Sequence, residues 1–263
     1  MNNNTEKTLM LTGENYQVNM YGSTFIGTRD YQQDRMLTYQ QDSLSVAVVC
    51  DGMGGMESGE KASQTAVDMF LEKLKMLNGT ENVKNFLCRM ANDVNYEISS
   101  FKDEYGKPLR SGTTAVMAVA VEDVMHVMSV GDSRIYIIRN GRLKQLTSDH
   151  NYMLRLEEQF RHGIIDRKKY EEEKPRAGAL ISFLGIGEPI IVDVKGPYKL
   201  LPGDIVLLCS DGLTKGLSNC DIEKIVSENV RSVPELPDIL IGATKANMPR
   251  GMDNTTVVVL QYD

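Results

Sequence analysis

Short runs rich in Val, Ile and Met recur along the chain, each bounded by turn-forming residues. They predict strands at about 18–27, 35–40, 44–50, 113–121, 124–130, 134–139, 142–146, 190–194, 204–209 and 255–261. Asn140-Gly141, between two of these runs, is a strong hairpin signal. Two segments change period. Over 58–77, Ala62, Ala66, Met69, Phe70, Leu74 and Leu77 fall on one stripe, and over 81–101 Val83, Phe86, Leu87, Met90, Ala91, Val94, Ile98 and Phe101 do the same, so each predicts an amphipathic helix. A charge-dense stretch at about 151–174 predicts a helix thin in apolar residues, and two further helices are expected near 219–229 and 234–247. Strands in hairpins with helices before and after them, without βα alternation, predict an α+β fold in which antiparallel sheet packs between helices.

The length of 263 residues suits one large domain, and no repeat or Pro/Gly/Ser linker divides it. A hydrophobic fraction of 41% with 25% charged residues excludes a disordered or collagenous chain. With 29 Lys and Arg against 36 Asp and Glu, the formal net charge of −7 argues against a nucleic-acid grip or a polybasic membrane anchor. Residues 1–15 read as a flexible tail without an apolar leader core. No stretch approaches the roughly 18 apolar residues of a membrane span, so a cytoplasmic protein is expected. Cys50, Cys88, Cys209 and Cys220 form no CxxC pair and are expected to be reduced, and the absence of heptads favours a monomer over a coiled-coil dimer.

The chain contains no GxxxxGK[ST], GxGxxG or GxSxG, so P-loop, Rossmann and nucleophile-elbow chemistries have no textual support. His126, His150 and His162 lack metal spacing. What stands out is aspartate directly after apolar runs, in Asp51-Gly52-Met53-Gly54-Gly55, Gly131-Asp132-Ser133-Arg134 and Ser210-Asp211-Gly212, with Asp253-Asn254 preceding another such run. Singly, each is an ordinary turn. Converging, the carboxylates would repel one another unless cations sat among them, and an oxygen-only donor set selects Mg²⁺ or Mn²⁺ over zinc. Arg29, in Arg29-Asp30-Tyr31-Gln32-Gln33-Asp34, adds a planar donor able to hold a phosphate. Carboxylates, metals and one arginine make a site for phosphoryl transfer.

The order of these motifs, with Ser111-Gly112-Thr113-Thr114 and Thr147-Ser148-Asp149-His150 between them, resembles the metal-dependent Ser/Thr protein phosphatases of the 2C type, in the bacterial branch with the Asp-Gly-Met-Gly-Gly form. The resemblance runs from about residue 20 to 260. It implies two antiparallel sheets sandwiched between helix layers and hydrolysis of phosphoserine and phosphothreonine in proteins by metal-activated water. It also implies phosphoprotein substrates made by a Ser/Thr kinase. By similarity Asp51 would bridge two Mn²⁺ or Mg²⁺ ions, Gly52 would offer its carbonyl to one, and Asp211 and Asp253 would complete the other. Asp34 would hold water on the metals, Arg29 would bind the substrate phosphate, Asp132 with Asp211 would form the third metal site described in bacterial members, and about 151–180 would be a flap.

The chain departs from the family pattern in places. Gln32 stands where Asn is usual, Ser182 where an arginine often lies, and Met53 where the eukaryotic branch carries His, so no imidazole is available there as a general acid. No carried-over metal ligand is missing. A pseudophosphatase that binds without turnover and a metal-stabilised structural module remain the alternative readings; the complete carboxylate set disfavours the first and Arg29 the second.

Overall fold

The computed structural model describes residues 6–8, 17–55, 58–77, 82–187 and 189–263. The strands, in chain order, are β1 (Glu6–Thr8), β2 (Val18–Phe25), β3 (Asp34–Gln41), β4 (Leu44–Gly54), β5 (Ser111–Thr113), β6 (Ala115–Val121), β7 (Val124–Val130), β8 (Arg134–Arg139), β9 (Arg142–Gln145), β10 (Asp193–Lys199), β11 (Asp204–Cys209) and β12 (Thr255–Tyr262). The helices are α1 (Ser58–Leu74), α2 (Val83–Ser99), α3 (Tyr152–Arg161), α4 (Arg167–Glu173), α5 (Asp211–Gly216), α6 (Asn219–Glu228) and α7 (Leu236–Asn247). One sheet has the order β1-β2-β12-β11-β8-β9; the other runs β10-β7-β6-β4-β3, with β5 paired to the far end of β4. Every pairing is antiparallel, as expected from the hairpins. Apart from Glu6–Thr8, the tail expected over 1–15 lies outside the described residues.

Period-two alternation builds the layers, because successive side chains leave a strand on opposite faces. In β4, Val46, Val48 and Cys50 pack with Ala62, Phe70, Leu87 and Val94 of α1 and α2. Ala47 and Val49 point the other way and meet Val206, Leu208, Val258 and Leu260 of the opposite sheet. On that sheet's outer face Leu207, Val257 and Val259 pack against Leu213, Ile222, Val226 and Leu240 of the C-terminal helices. Both sheets are therefore buried on both faces, which is why their central strands read as continuous apolar runs. Helix ends follow their sequence signals: Asn82 caps α2 through Asn85 N–H, and Ser218 with Asp221 forms a capping box on α6.

Several elements differ from the sequence expectation: β1 lies within the expected tail and pairs with β2, and the strand expected at 113–121 is divided into β5 and β6. The strand expected at 190–194 is β10 at Asp193–Lys199, because Ile190 and Val192 pack into the core under α2 before pairing begins. Pro197 is tolerated in β10 because that strand is a sheet edge, and its register with β7 shifts between Lys195 and Tyr198. The charge-dense helix is broken into α3 and α4, with Gly163 at φ +68° between them and Asp166 capping the second. The short helix α5 follows β11 directly and was hidden in an Asp-Gly turn signal. Cys50 and Cys209 are buried, Cys220 is exposed, and all four cysteines are free thiols. Among the described residues no helix is long and apolar enough to cross a membrane.

Candidate active site

Strand pairing brings the distant aspartates together. Asp34 opens β3 directly opposite Asp51 near the end of β4. A β-carbon on Gly52 would lie 2.3 Å from Gly59 O and 2.6 Å from Gln33 O, so only glycine lets the end of β4 pass between helix α1 and the loop that carries Arg29. Gly212 is equally tight: its β-carbon would lie 2.1 Å from Asn254 O, and this close approach seats the first turn of α5 on the entry to β12, with Asp211 beside Asp253. Thr114 fixes the backbone of Asp51, its N–H donating to Asp51 O at 2.9 Å and its Oγ1 accepting from Asp51 N–H at 3.1 Å. The same hydroxyl shares a 2.7 Å hydrogen bond with Ser133, the neighbour of Asp132. Arg29, Asp51, Gly52, Asp132, Asp211 and Asp253 line one cleft of about 490 Å³, and Gly178 and Leu180 reach it from the 151–180 segment. Asp34 lies beneath it, 2% exposed.

The electrostatics of this cluster are those of crowded carboxylates. Burial, then the neighbouring Asp34, Asp211, Asp132 and Asp253, push the Asp51 carboxyl well above the usual carboxylate range. Burial likewise lifts Asp34 to about 7 against the lowering effect of the Ser210 hydroxyl, which donates to Asp34 Oδ2 at 2.7 Å. Asp34 Oδ1 is buried without a hydrogen-bond partner. Asp132 rises to about 6 through burial and the charges of Asp211 and Asp149. Asp253 goes the other way: burial would raise it, but Lys215 and Arg29 outweigh burial and hold it below its ordinary value. Arg29 donates through Nε to Asp253 Oδ1 and through Nη2 to Oδ2, both at 2.9 Å, so its guanidinium grips a carboxylate of this chain bidentately.

Several contributors had no role assigned to them from the sequence. Asn254 accepts from Gln33 N–H at 2.8 Å and donates to Ile26 O at 2.8 Å and Tyr31 O at 3.0 Å, tying the Arg29 loop to β12. Lys215 sits one helical turn after Asp211 and bonds both Asp211 and Asp253; the i,i+4 spacing was its only trace. His150 is fully buried: its Nδ1 accepts from Gly131 N–H at 3.2 Å and its backbone N–H donates to Gly131 O at 2.9 Å, which steadies the turn bearing Asp132. Ser182 is buried, accepting from Ile191 N–H at 2.8 Å, and serves the local backbone. Met53 lines the cleft.

The donors fit hard divalent cations. All are oxygens, one of them buried and unpartnered on Asp34, and Asp51 feels the charges of four other carboxylates, a repulsion that positive charge relieves. Among the described residues no three His, Cys, Asp or Glu side chains stand together at cation-binding geometry; the carboxylates are bridged instead by Lys215 and Arg29.

Residues 15–161 match the protein phosphatase 2C family. The chain is 34% identical over 227 residues to the serine/threonine phosphatase stp of Listeria monocytogenes, covering 85% of this chain and 86% of that protein. It is 29% identical over 222 residues to protein phosphatase PhpP of Streptococcus pneumoniae, covering 83% and 86% respectively. Its fold is similar to that of the S. agalactiae serine/threonine phosphatase, with a TM-score of 0.80, 26% identity and coverage of 93% of this chain and 99% of the other. It is also similar to the catalytic domain of the serine/threonine protein phosphatase PstP in complex with two manganese ions, with a TM-score of 0.73, 25% identity and coverage of 94% and 99%.

Proposed function

Given that the chain belongs to the protein phosphatase 2C family and is a metal-dependent serine/threonine protein phosphatase, we propose that its turnover rests on the carboxylate cluster in the cleft. Asp51 would bridge two Mn²⁺ or Mg²⁺ ions, with the Gly52 carbonyl on one and Asp211 and Asp253 on the other; Asp132 with Asp211 would hold a third. Divalent cations so held acidify water and neutralise charge on the phosphate oxygens. The buried, unpartnered Asp34 Oδ1 suits a group that orients the attacking water. Arg29, which offers Asp253 two parallel donors, can offer the same pair to a phosphate. Met53 has no exchangeable proton, so it cannot protonate the leaving serine or threonine oxygen. A phosphorylated protein substrate in turn presupposes a Ser/Thr kinase that makes it.

The observation that carries this reading is the convergence of Asp51, Asp132, Asp211 and Asp253 on one cleft with the buried Asp34 next to them, carboxylates whose charges raise Asp51 and whose repulsion divalent cations would relieve. Phosphate release from a phosphopeptide should require added Mn²⁺ or Mg²⁺ and cease on chelation. Asp51→Asn should lower kcat by about a hundredfold or more, the scale on which removing a preorganised electrostatic group acts. Undiminished turnover by that variant at saturating metal would remove Asp51 from the machinery.

A further inference from the structure

Lys215 closes α5 one turn after Asp211, with its Nζ 2.7 Å from Asp211 Oδ2 and 2.9 Å from Asp253 Oδ2. The two carboxylates come from different strand ends, so this is more than the i,i+4 pair of a solvated helix. The lysine's backbone is fixed. Leu213 anchors α5 in the core, Asn247 donates to Gly216 O at 3.0 Å, and a β-carbon on Gly216 would lie 2.6 Å from Thr244 Cγ2, so the helix is clamped onto α7. Arg29 does not duplicate the arrangement: its side chain is 60% exposed and it holds Asp253 alone.

Asp253 Oδ2 already accepts from both Lys215 Nζ and Arg29 Nη2, each at 2.9 Å, which uses both its lone pairs, and Lys215 Nζ also sits on Asp211 Oδ2, so a divalent cation taking these two oxygens would stand against the ammonium. Positive charges that close repel strongly in a partly buried site. We infer that Lys215 is a built-in competitor for the cation assigned above to Asp211 and Asp253, an inference that rests on those two aspartates being metal ligands. Metal entry then requires the ammonium to release both oxygens. While metal is scarce, Lys215 keeps the carboxylates paired and the site assembled; as metal rises, it is displaced. The lysine thereby weakens metal binding and sets the metal concentration at which the site fills.

Calorimetric titration of the metal-stripped protein with Mn²⁺, with free Mn²⁺ followed by electron paramagnetic resonance, tests this. Lys215→Gln should tighten one class of Mn²⁺ sites on the order of tenfold or more, whereas Lys215→Arg, which keeps the charge, should stay near wild type. In chelator the Gln variant should melt below wild type, and its Tm should rise further when Mn²⁺ is restored. Unchanged or weaker Mn²⁺ binding by Lys215→Gln overturns the competition. Asp253→Asn separates the two readings: if it binds Mn²⁺ as wild type does, or if wild type binds none, the ligand assignment fails; if it loses a site while Lys215→Gln changes nothing, only the competition fails. Should the stripped Gln variant not stay folded, equilibrating the Mn²⁺-loaded protein against a chelating indicator dye reads the same constant, with the same two outcomes.

Discussion

Each aspartate of the cleft owes its character to what stands beside it. Asp34 and Asp132 are carboxyls raised to about 7 and about 6 from an ordinary 3.8, whereas Asp253, gripped by two cations, is lowered. A raised carboxyl retains its proton in the folded protein at pH values where the unfolded chain has released it. Its contribution is therefore fully present below about 4 and is lost as pH rises through the folded value. In chelator, the urea midpoint should fall between pH 5 and 7.5, and Asp34→Asn should make the fall shallower. Comparing the two proteins cancels groups that act oppositely in this window, such as His126, whose pKa burial lowers; Asp253 is already ionised throughout it. Parallel pH curves for the two proteins would mean that Asp34 does not titrate in this range.

At the scale of elements, the site is a set of strand ends stapled together by polar residues. Asn254 is 6% exposed and satisfies three backbone groups of the segment 26–33. Asn254→Ala strands those groups and should cost about 1–3 kcal/mol in denaturant unfolding. A stability within error of wild type would mean that water replaces the amide at little cost. The strands were legible because two-sided burial writes an unmistakable apolar run, and the ligand candidates were legible because Asp51, Asp132 and Asp211 follow such runs and Asp253 precedes one. The staples were not, since Asn254, Thr114, Ser133 and Lys215 acquire their meaning only when β4, β8, α5 and β12 meet. The edge strand β10 was misplaced for a related reason: an edge need not be apolar, and the nearby Ile190 and Val192 owe their burial to α2 instead.

For the molecule as a whole, the two sheets and their helix layers form three cores, and the cleft sits at one end of them. The 151–180 segment stands apart. Its stem is fastened by Tyr152 N–H to Ala179 O and Met153 N–H to Ala177 O, both 2.8 Å, and by Ile181 N–H to His150 O at 2.9 Å, while Leu156 is its fully buried anchor. Beyond the stem, Leu154, Phe160 and Ile164 are 39%, 43% and 70% exposed, although the segment is rich in charge. Scattered exposed apolar residues are normal on any surface, so a solvated face is the plain reading. Gly178 and Leu180 of the same segment line the cleft, so the segment adjoins the site. Replacing Leu154, Phe160 and Ile164 by Ser leaves Leu156 and the stem intact. If the segment reads protein substrates, kcat/KM on a phosphoprotein should fall about tenfold, consistent with losing part of the burial of a few apolar side chains. Hydrolysis of p-nitrophenyl phosphate should stay near the wild-type rate. Equal losses on both substrates would assign the segment to positioning the cleft, and no loss on either would leave it a solvated surface.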